Sequence, residues 1–160
     1  FGRCAAKSDG CDVVEFLLSA NKGEQLKPLA KIASGGELSR IMLSIKNVLA
    51  DTVGTCVFDE IDSGVSGRAA QKIAMKLKQM SAGRQVIAVT HLAYIAAYAD
   101  HHFLIEKHSD AARTYTAVRE LDNAARIDEL ARILGGINIT EAVRSAAEEM
   151  LRTGLTSGTN

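Results

Sequence analysis

The sequence lacks the features that mark several large classes of protein. Its 160 residues include no tryptophan, one proline and three cysteines, and 19 basic side chains balance 19 acidic ones. A membrane-spanning helix needs about 20 consecutive apolar residues, and the longest uncharged stretch, residues 85–99, is shorter. The odd number of cysteines, without a Cys-x-x-Cys pair, disfavours a disulfide framework and a zinc knuckle. Zero net charge argues against wrapping of a phosphate backbone as the main activity.

The composition favours a single folded domain. Hydrophobic residues make up 47% of the chain and charged residues 24%, which is enough for a core and argues against intrinsic disorder. The amino end has neither a starting methionine nor a hydrophobic leader, so we expect a cytoplasmic fragment whose natural start lies upstream of Phe1. We expect residues 1–152 to form one lobe and residues 153–160 to be a disordered tail.

Hydrophobic periodicity predicts strands that alternate with helices. The predicted elements are a strand at 12–20, a helix at 37–50, a strand at 55–58, a helix from a Ser66 cap to residue 80, a strand at 86–89, a hairpin of 102–105 with 114–121, a helix at 123–134 and a helix at 140–151. The strand at 55–58 lacks alternation, so we expect it to be buried on both faces of a parallel sheet. It forms a βαβ unit with the strand at 86–89, and these two strands are therefore parallel.

The carboxyl ends of these two parallel strands are expected to carry the chemistry. Asp59 and Glu60 follow the first strand and His91 follows the second, so they share the edge where open α/β sheets bind ligands. One carboxylate can hold Mg²⁺ through its waters while the next orients a water that attacks phosphorus. The alternative is a solvated acidic turn. His91 can donate a hydrogen bond to a phosphoryl group, or it is satisfied by a backbone carbonyl.

The Ser34-Gly35-Gly36 segment before a helix is a natural anion site. Unpaired amides and the positive end of the helix converge there where side chains are absent. The alternative is N-capping by Ser34 with glycines chosen for the turn, and a simple pair between Glu37 and Arg40. The sequence contains no Gly-x-x-x-x-Gly-Lys-Ser/Thr loop and no Gly-x-Gly-x-x-Gly, so it does not by itself cradle the β- and γ-phosphates of a nucleotide.

Taken in order, these motifs resemble the carboxyl-terminal lobe of an ABC-type ATPase head. The expected fold is therefore an α/β P-loop NTPase lobe, with a mostly parallel sheet and flanking helices. Glu37 after two glycines is similar to the SMC and DNA-repair branch, whereas transporter ATPases usually have glutamine there. Within that branch, three stretches closely resemble the bacterial RecN family of DNA repair proteins: Leu26–Arg40, Phe58–Gly67 and Ala131–Gly136.

The resemblance implies ATP and Mg²⁺ as ligands of a site that two heads share. Asp59 would organise Mg²⁺, Glu60 would position the attacking water and His91 would contact the γ-phosphate. The residues implied to contact ATP held by the opposing head are Ser34, Gly35, Gly36 and Glu37. The residues implied to form the D-loop at the dimer interface are Ser63, Gly64, Val65 and Ser66.

The implied partners are the amino-terminal half of the same protein, which carries the Walker A lobe and a coiled coil, a second head, and DNA through the full assembly. The implied setting is repair of DNA double-strand breaks in the bacterial cytoplasm, at the nucleoid, with no membrane involved. ATPase activity is expected only in the completed protein. Two other classes stay open: a metal-dependent phosphohydrolase that uses Asp59, Glu60, Asp62 and a histidine, and a non-catalytic interaction module with the head fold.

Overall fold

The structure is a computed structural model that describes residues 2–8, 10–19, 23–31, 35–48, 53–109 and 113–157. The strands are β1 (Gly2–Lys7), β2 (Gly10–Val13), β3 (Leu17–Leu18), β4 (Lys27–Pro28), β5 (Thr55–Phe58), β6 (Gln85–Ala88), β7 (Phe103–Ser109) and β8 (Thr114–Glu120). The helices are α1 (Gly35–Val48), α2 (Gly67–Ser81), α3 (Ala93–Ala97), α4 (Asn123–Gly135) and α5 (Glu141–Thr156), and a 3₁₀ helix spans Leu29–Lys31. No helix in these ranges has the length and apolar character needed to span a bilayer.

The described strands form four two-stranded sheets, of which β5–β6 is parallel and the others are antiparallel. The predicted α/β class is confirmed, but the prediction of a mostly parallel sheet is wrong for the described strands, because one of the four pairs, β5–β6, is parallel. Phe58 stands opposite Ala88, and the amide of Val89 donates to the carbonyl oxygen of Phe58 at 2.9 Å. The carboxyl ends of β5 and β6 therefore share one edge, as the sequence predicts. The predicted hairpin is also confirmed, as β7 paired with β8.

One hydrophobic core joins β5 to all five helices. Helix α2 packs on α1, α3 and β6, and α3 packs on α4 and α5. Cys56 and Phe58 of β5 are buried in this core, whereas Val57 between them is 65% exposed. The prediction that β5 is buried on both faces is therefore wrong. The described helices cover one face of the β5–β6 pair, so alternate side chains lie on the other, exposed face.

The prediction of one strand over residues 12–20 is also wrong. Strand β2 ends at Val13 and pairs with β1, whereas Leu17–Leu18 pairs with β4. The pairing partner changes from β1 to β4, and residues 14–16 between the two strands are not in a strand. The side chains from Val14 to Phe16 are exposed, so packing against a core does not hold this connection in a sheet. Residues 20–22 lie outside the described ranges.

Helix α4 positions a buried arginine at the end of α3. Arg126 is 3% exposed, and its Nη2 atom donates to the carbonyl oxygen of Ala99 at 2.7 Å and to that of Ala97 at 3.4 Å. The last carbonyls of a helix have no partners within the helix. Arg126 supplies those partners and fixes the short helix that follows His91.

Helix α5 continues past its predicted end. It runs to Thr156, so the prediction of a disordered tail is wrong for residues 153–156, and residues 158–160 lie outside the described ranges. The reason is a close contact at Gly154, where a Cβ atom would lie 2.3 Å from the carbonyl oxygen of Ala97. The missing side chain lets α5 approach α3 and extends the packed part of the helix by one turn.

Replacing Gly154 with Ala is expected to lower the free energy of unfolding of the chain by about 1–3 kcal/mol, because the new methyl group meets backbone atoms that cannot rotate away. The gain in helix propensity, about 1 kcal/mol, does not offset this clash. Denaturant unfolding followed by circular dichroism measures the change. The matched control is Gly83→Ala, where a Cβ atom would meet nothing within 4 Å and the expected change is within about 0.5 kcal/mol. Stabilisation by Gly154→Ala would contradict the contact.

Candidate functional site

Helix α1 begins against the loop that follows β5, residues 59–64, which we call the acidic loop. A Cβ atom at Gly36 would lie 2.7 Å from the Cβ atom of Ser63 and 2.8 Å from the carbonyl oxygen of Glu60. A Cβ atom at Gly35 would lie 3.0 Å from Glu60 Oε2. Both glycines have negative φ values, so the turn does not require them. Close approach of the acidic loop is the reason that glycine stands at Gly36.

Two side chains of α1 hold the acidic loop through its backbone. Arg40 Nη1 donates to the carbonyl oxygen of Ile61 at 3.2 Å and to that of Ser63 at 2.8 Å. The hydroxyl of Ser39 donates to the carbonyl oxygen of Asp59 at 3.0 Å. A guanidinium group is a rigid set of donors, so Arg40 sets the distance between α1 and the loop. Sequence reasoning considered Arg40 only as a partner of Glu37 and missed these contacts.

Glu60 has a left-handed backbone conformation, with φ of 53°. Among the described residues it is the one non-glycine residue with positive φ, and such a conformation costs on the order of 1–3 kcal/mol. Its amide donates to Asp59 Oδ1 at 2.9 Å, and its carbonyl oxygen accepts from the amide of Ser63 at 3.0 Å. These bonds hold the strained residue in place. Backbone strain of this kind clusters at functional sites.

Asp62 joins the acidic loop to the segment that follows β6. Its side chain is 2% exposed, and its Oδ2 atom accepts from the Thr90 hydroxyl at 2.5 Å and from the His91 amide at 2.9 Å. The Nδ1 atom of His91 lies 3.1 Å from the same oxygen. Burial by itself raises the pKa of Asp62, but these hydrogen bonds and the nearby imidazole outweigh it and hold the pKa below its ordinary value. The carboxylate is therefore ionised at neutral pH.

The structure brings together most of the residues predicted from the sequence. Gly35, Gly36 and Glu60 meet at the start of α1, and His91 reaches the same loop through Asp62. Asp59 is exposed at the end of β5. The other predicted positions are Glu37, half-buried in the first turn of α1; Ser63, exposed; Gly64, with φ of 69°; Val65, half-buried; and Ser66, exposed. Ser34 lies outside the described ranges.

Ser66 precedes α2 as predicted, but its side chain makes no capping hydrogen bond. Three residues that hold the site were missed or given another role: Arg40, Thr90 and Asp62. A buried carboxylate beside the apolar Ile61 is unusual unless it has partners. The position of Asp62 directly after Ile61 was the available signal in the sequence. It did not show which residues bind the carboxylate.

The donor set of the acidic loop fits magnesium better than a transition metal. Across the described residues, no group of three His, Cys, Asp or Glu side chains is placed to hold one ion, and Asp62 is engaged by Thr90 and His91. The metal-dependent phosphohydrolase alternative is therefore not favoured. Magnesium in nucleotide sites uses one or two carboxylates together with waters and phosphate oxygens. The exposed carboxylate of Asp59 suits that role.

The arrangement of these segments follows the order of the motifs in the sequence. A helix that starts at two glycines, an acidic strand end, the loop after it and a histidine at the neighbouring strand end share one edge of a parallel pair. This is the order on which the resemblance of the sequence to the carboxyl-terminal lobe of an ABC-type ATPase head rests.

The chain is related over nearly its whole length to the RecN DNA repair proteins. It is 45% identical over 152 residues to DNA repair protein RecN of Halalkalibacterium halodurans, covering 94% of this chain and 27% of the relative. It is 48% identical over 147 residues to that of Treponema pallidum, covering 91% and 26%, and 46% identical over 145 residues to that of Bacillus subtilis, covering 89% and 25%. The chain spans about a quarter of the length of these curated relatives. The predicted resemblance to RecN is confirmed.

No established family model matches the chain. A solved chain from a study of "ATP-driven dimerization and DNA stimulated activation of SMC ATPases" overlaps it with a TM-score of 0.49 and 22% identity, covering 70% of this chain and 68% of that chain. An overlap at this level does not bear on function.

Proposed function

We propose that this chain is the carboxyl-terminal lobe of the ATPase head of a RecN-like protein that acts in the repair of DNA double-strand breaks. The proposal rests on the observation that three segments meet: the start of α1, the acidic loop and the end of β6. Gly36 touches the loop backbone on one side, and Asp62 ties the loop to His91 on the other. These are the segments that the ABC/SMC resemblance assigns to ATP.

The start of α1 is suited to binding phosphate held by an opposing head. The first amides of a helix have no partners within it, and the helix dipole favours negative charge there. In the proposal, Ser34, Gly35, Gly36 and Glu37 face the ATP that the partner head holds with its Walker A loop. The Walker A loop belongs to the part of the protein that lies outside this chain.

The acidic loop and His91 supply the proposed catalytic groups. Asp59 would hold Mg²⁺, which supplies charge neutralisation on the phosphates when it is bound. Glu60 would orient the attacking water and accept its proton, and His91 would donate a hydrogen bond to the γ-phosphate. Positioning and electrostatic stabilisation account for most of the catalysis in phosphoryl transfer.

The D-loop segment, 63–66, is proposed to lie at the interface between two heads. Ser63 and Ser66 are exposed and Gly64 has a left-handed φ of 69°, so part of the segment is accessible to a second head. The proposed partners are the amino-terminal half of the same protein, a second head, and DNA through the full assembly.

The test is reconstitution from two pieces. The 160-residue chain alone is expected to release no phosphate from ATP, because the Walker A loop is absent from it. Co-expression with the remainder of a RecN-like protein is expected to restore magnesium-dependent phosphate release, measured at saturating ATP.

The control for this reconstitution is the same pair of pieces with a Walker A lysine substitution in the remainder. Robust ATPase activity from the isolated chain would contradict the proposal. Absence of activity from a stable complex of the two pieces would favour a non-catalytic interaction module.

A further inference from the structure

Asp62 is the buried carboxylate of an otherwise exposed acidic loop. Asp59 and Glu60 are exposed, whereas Asp62 is 2% exposed. A buried ionised carboxylate is costly unless hydrogen bonds satisfy it. Here one atom, Asp62 Oδ2, receives all three contacts from the other strand end: the Thr90 hydroxyl, the His91 amide and the His91 ring.

The imidazole of His91 is 75% exposed, so packing does not set its orientation. The 3.1 Å contact between His91 Nδ1 and Asp62 Oδ2 does. An ionised carboxylate only accepts hydrogen bonds, and the lowered pKa of Asp62 keeps it ionised. The proton is therefore favoured on Nδ1, because an unprotonated Nδ1 would turn its lone pair toward the negative charge 3.1 Å away. The Nε2 atom, on the far side of the ring, is left for a ligand.

We propose that Asp62 is a positioning residue that fixes the orientation and the tautomer of His91, and that it acts on ATP hydrolysis through His91. The inference rests on the proposed function, because it requires His91 to contact the γ-phosphate. A carboxylate beside a histidine ring holds the imidazole in one tautomer and one orientation, as in catalytic triads. Asp62 would do so from a buried position.

Thr90 holds Asp62 in the required position. Its hydroxyl donates to Asp62 Oδ2 and accepts from the amide of Leu92 at 3.1 Å. Leu92 is the cap residue of α3, so one hydroxyl links the carboxylate to the start of that helix. Loss of the hydroxyl frees the Asp62 carboxylate to rotate, whereas Thr90→Ser preserves the donor.

The competing explanation is that Asp62 only fastens the acidic loop to the end of β6. A double-mutant cycle in the complete protein separates the two explanations. Asp62→Asn is made in the wild-type and in the His91→Ala background, and kcat and KM for ATP are measured at saturating Mg²⁺. Loss of a carboxylate that orients a metal-ligating histidine typically costs about 10–100-fold in metal affinity or activity, and we expect a loss of that order here.

If Asp62 acts through His91, Asp62→Asn lowers kcat about 10–100-fold in the wild-type background and less than about twofold in the His91→Ala background, with KM nearly unchanged. Thr90→Val likewise lowers kcat in the wild-type background and much less in the His91→Ala background. Thr90→Ser leaves kcat unchanged in both. If Asp62→Asn fails to fold, the comparison of Thr90→Val with Thr90→Ser provides the same test.

Equal losses in the two backgrounds, or wild-type turnover of Asp62→Asn, overturn the positioning role and leave the proposed function intact. Wild-type turnover of His91→Ala overturns the inference too, because Asp62 then has no catalytic partner. The proposed function fails separately, through wild-type turnover of Glu60→Gln.

Discussion

Replacing Glu60 with Gln in the complete RecN-like protein is expected to lower the turnover number for ATP about 10²–10⁴-fold and to leave ATP-dependent association of the heads intact. The amide has nearly the size of the carboxylate, so the contact with the start of α1 is kept. It does not accept a proton, and it does not bind water through a charge-assisted hydrogen bond. The chemical step therefore slows while nucleotide binding persists.

Phosphate release at saturating ATP measures the turnover of Glu60→Gln, and sedimentation with and without ATP measures association of the heads. The matched control is Glu149→Gln, an exposed position of α5, which is expected to stay within about twofold of wild type. Unchanged turnover of Glu60→Gln would show that another group positions the water. Loss of ATP-dependent association would instead show that Glu60 acts in nucleotide binding rather than in the chemical step.

Replacing Gly36 with Ala is expected to lower turnover about 100-fold, the cost of displacing catalytic groups by about 1 Å. The new methyl group would lie 2.7 Å from the Cβ atom of Ser63 and 2.8 Å from the carbonyl oxygen of Glu60. Both are fixed atoms of the acidic loop, so the loop must move away from α1. The movement also stretches the hydrogen bonds from Arg40 to the loop.

Steady-state ATP hydrolysis by the Gly36→Ala protein measures this effect, with thermal unfolding measured in parallel to show that the domain is folded. Gly83→Ala is the control, because it adds the same methyl group in open space and is expected to leave turnover unchanged. A Gly36→Ala protein with wild-type turnover would mean that the acidic loop tolerates displacement, and the role assigned to this contact would be wrong.

The elements that carry the site were predictable because their signals are local. The apolar run Thr55–Phe58 gives β5 with its observed bounds, and the three- and four-residue spacing of apolar side chains gives α1 to within two residues at either end. Gly136 follows α4 with φ of 63°, a conformation that glycine adopts without steric cost. Each of these signals depends on neighbours within a turn or a strand.

The predictions that failed depended on what packs against each element. Val57 is exposed because the described helices cover the opposite face of β5, and an apolar run does not show which face is covered. Helix α5 reaches Thr156 because Gly154 contacts Ala97, a residue in a different helix. The strand predicted over residues 12–20 is divided because its two halves pair with different strands.

The sequence by itself determined which chemical groups meet at the site. It placed two glycines at the start of a helix, Asp59 and Glu60 at the end of one strand and His91 at the end of the next, and parallel pairing then put both strand ends on one edge. These are consequences of chain order and of the handedness of βαβ units.

Only the tertiary structure decided how those groups are held. Ser39 reaches a carbonyl 20 residues away, and Asp62 binds an amide 29 residues away. Such bonds depend on the distance between packed elements, to within a few tenths of an ångström, and no local pattern encodes that distance. The same distance makes Gly36 necessary for close packing, and the bonds at the acidic loop hold Glu60 in its left-handed conformation.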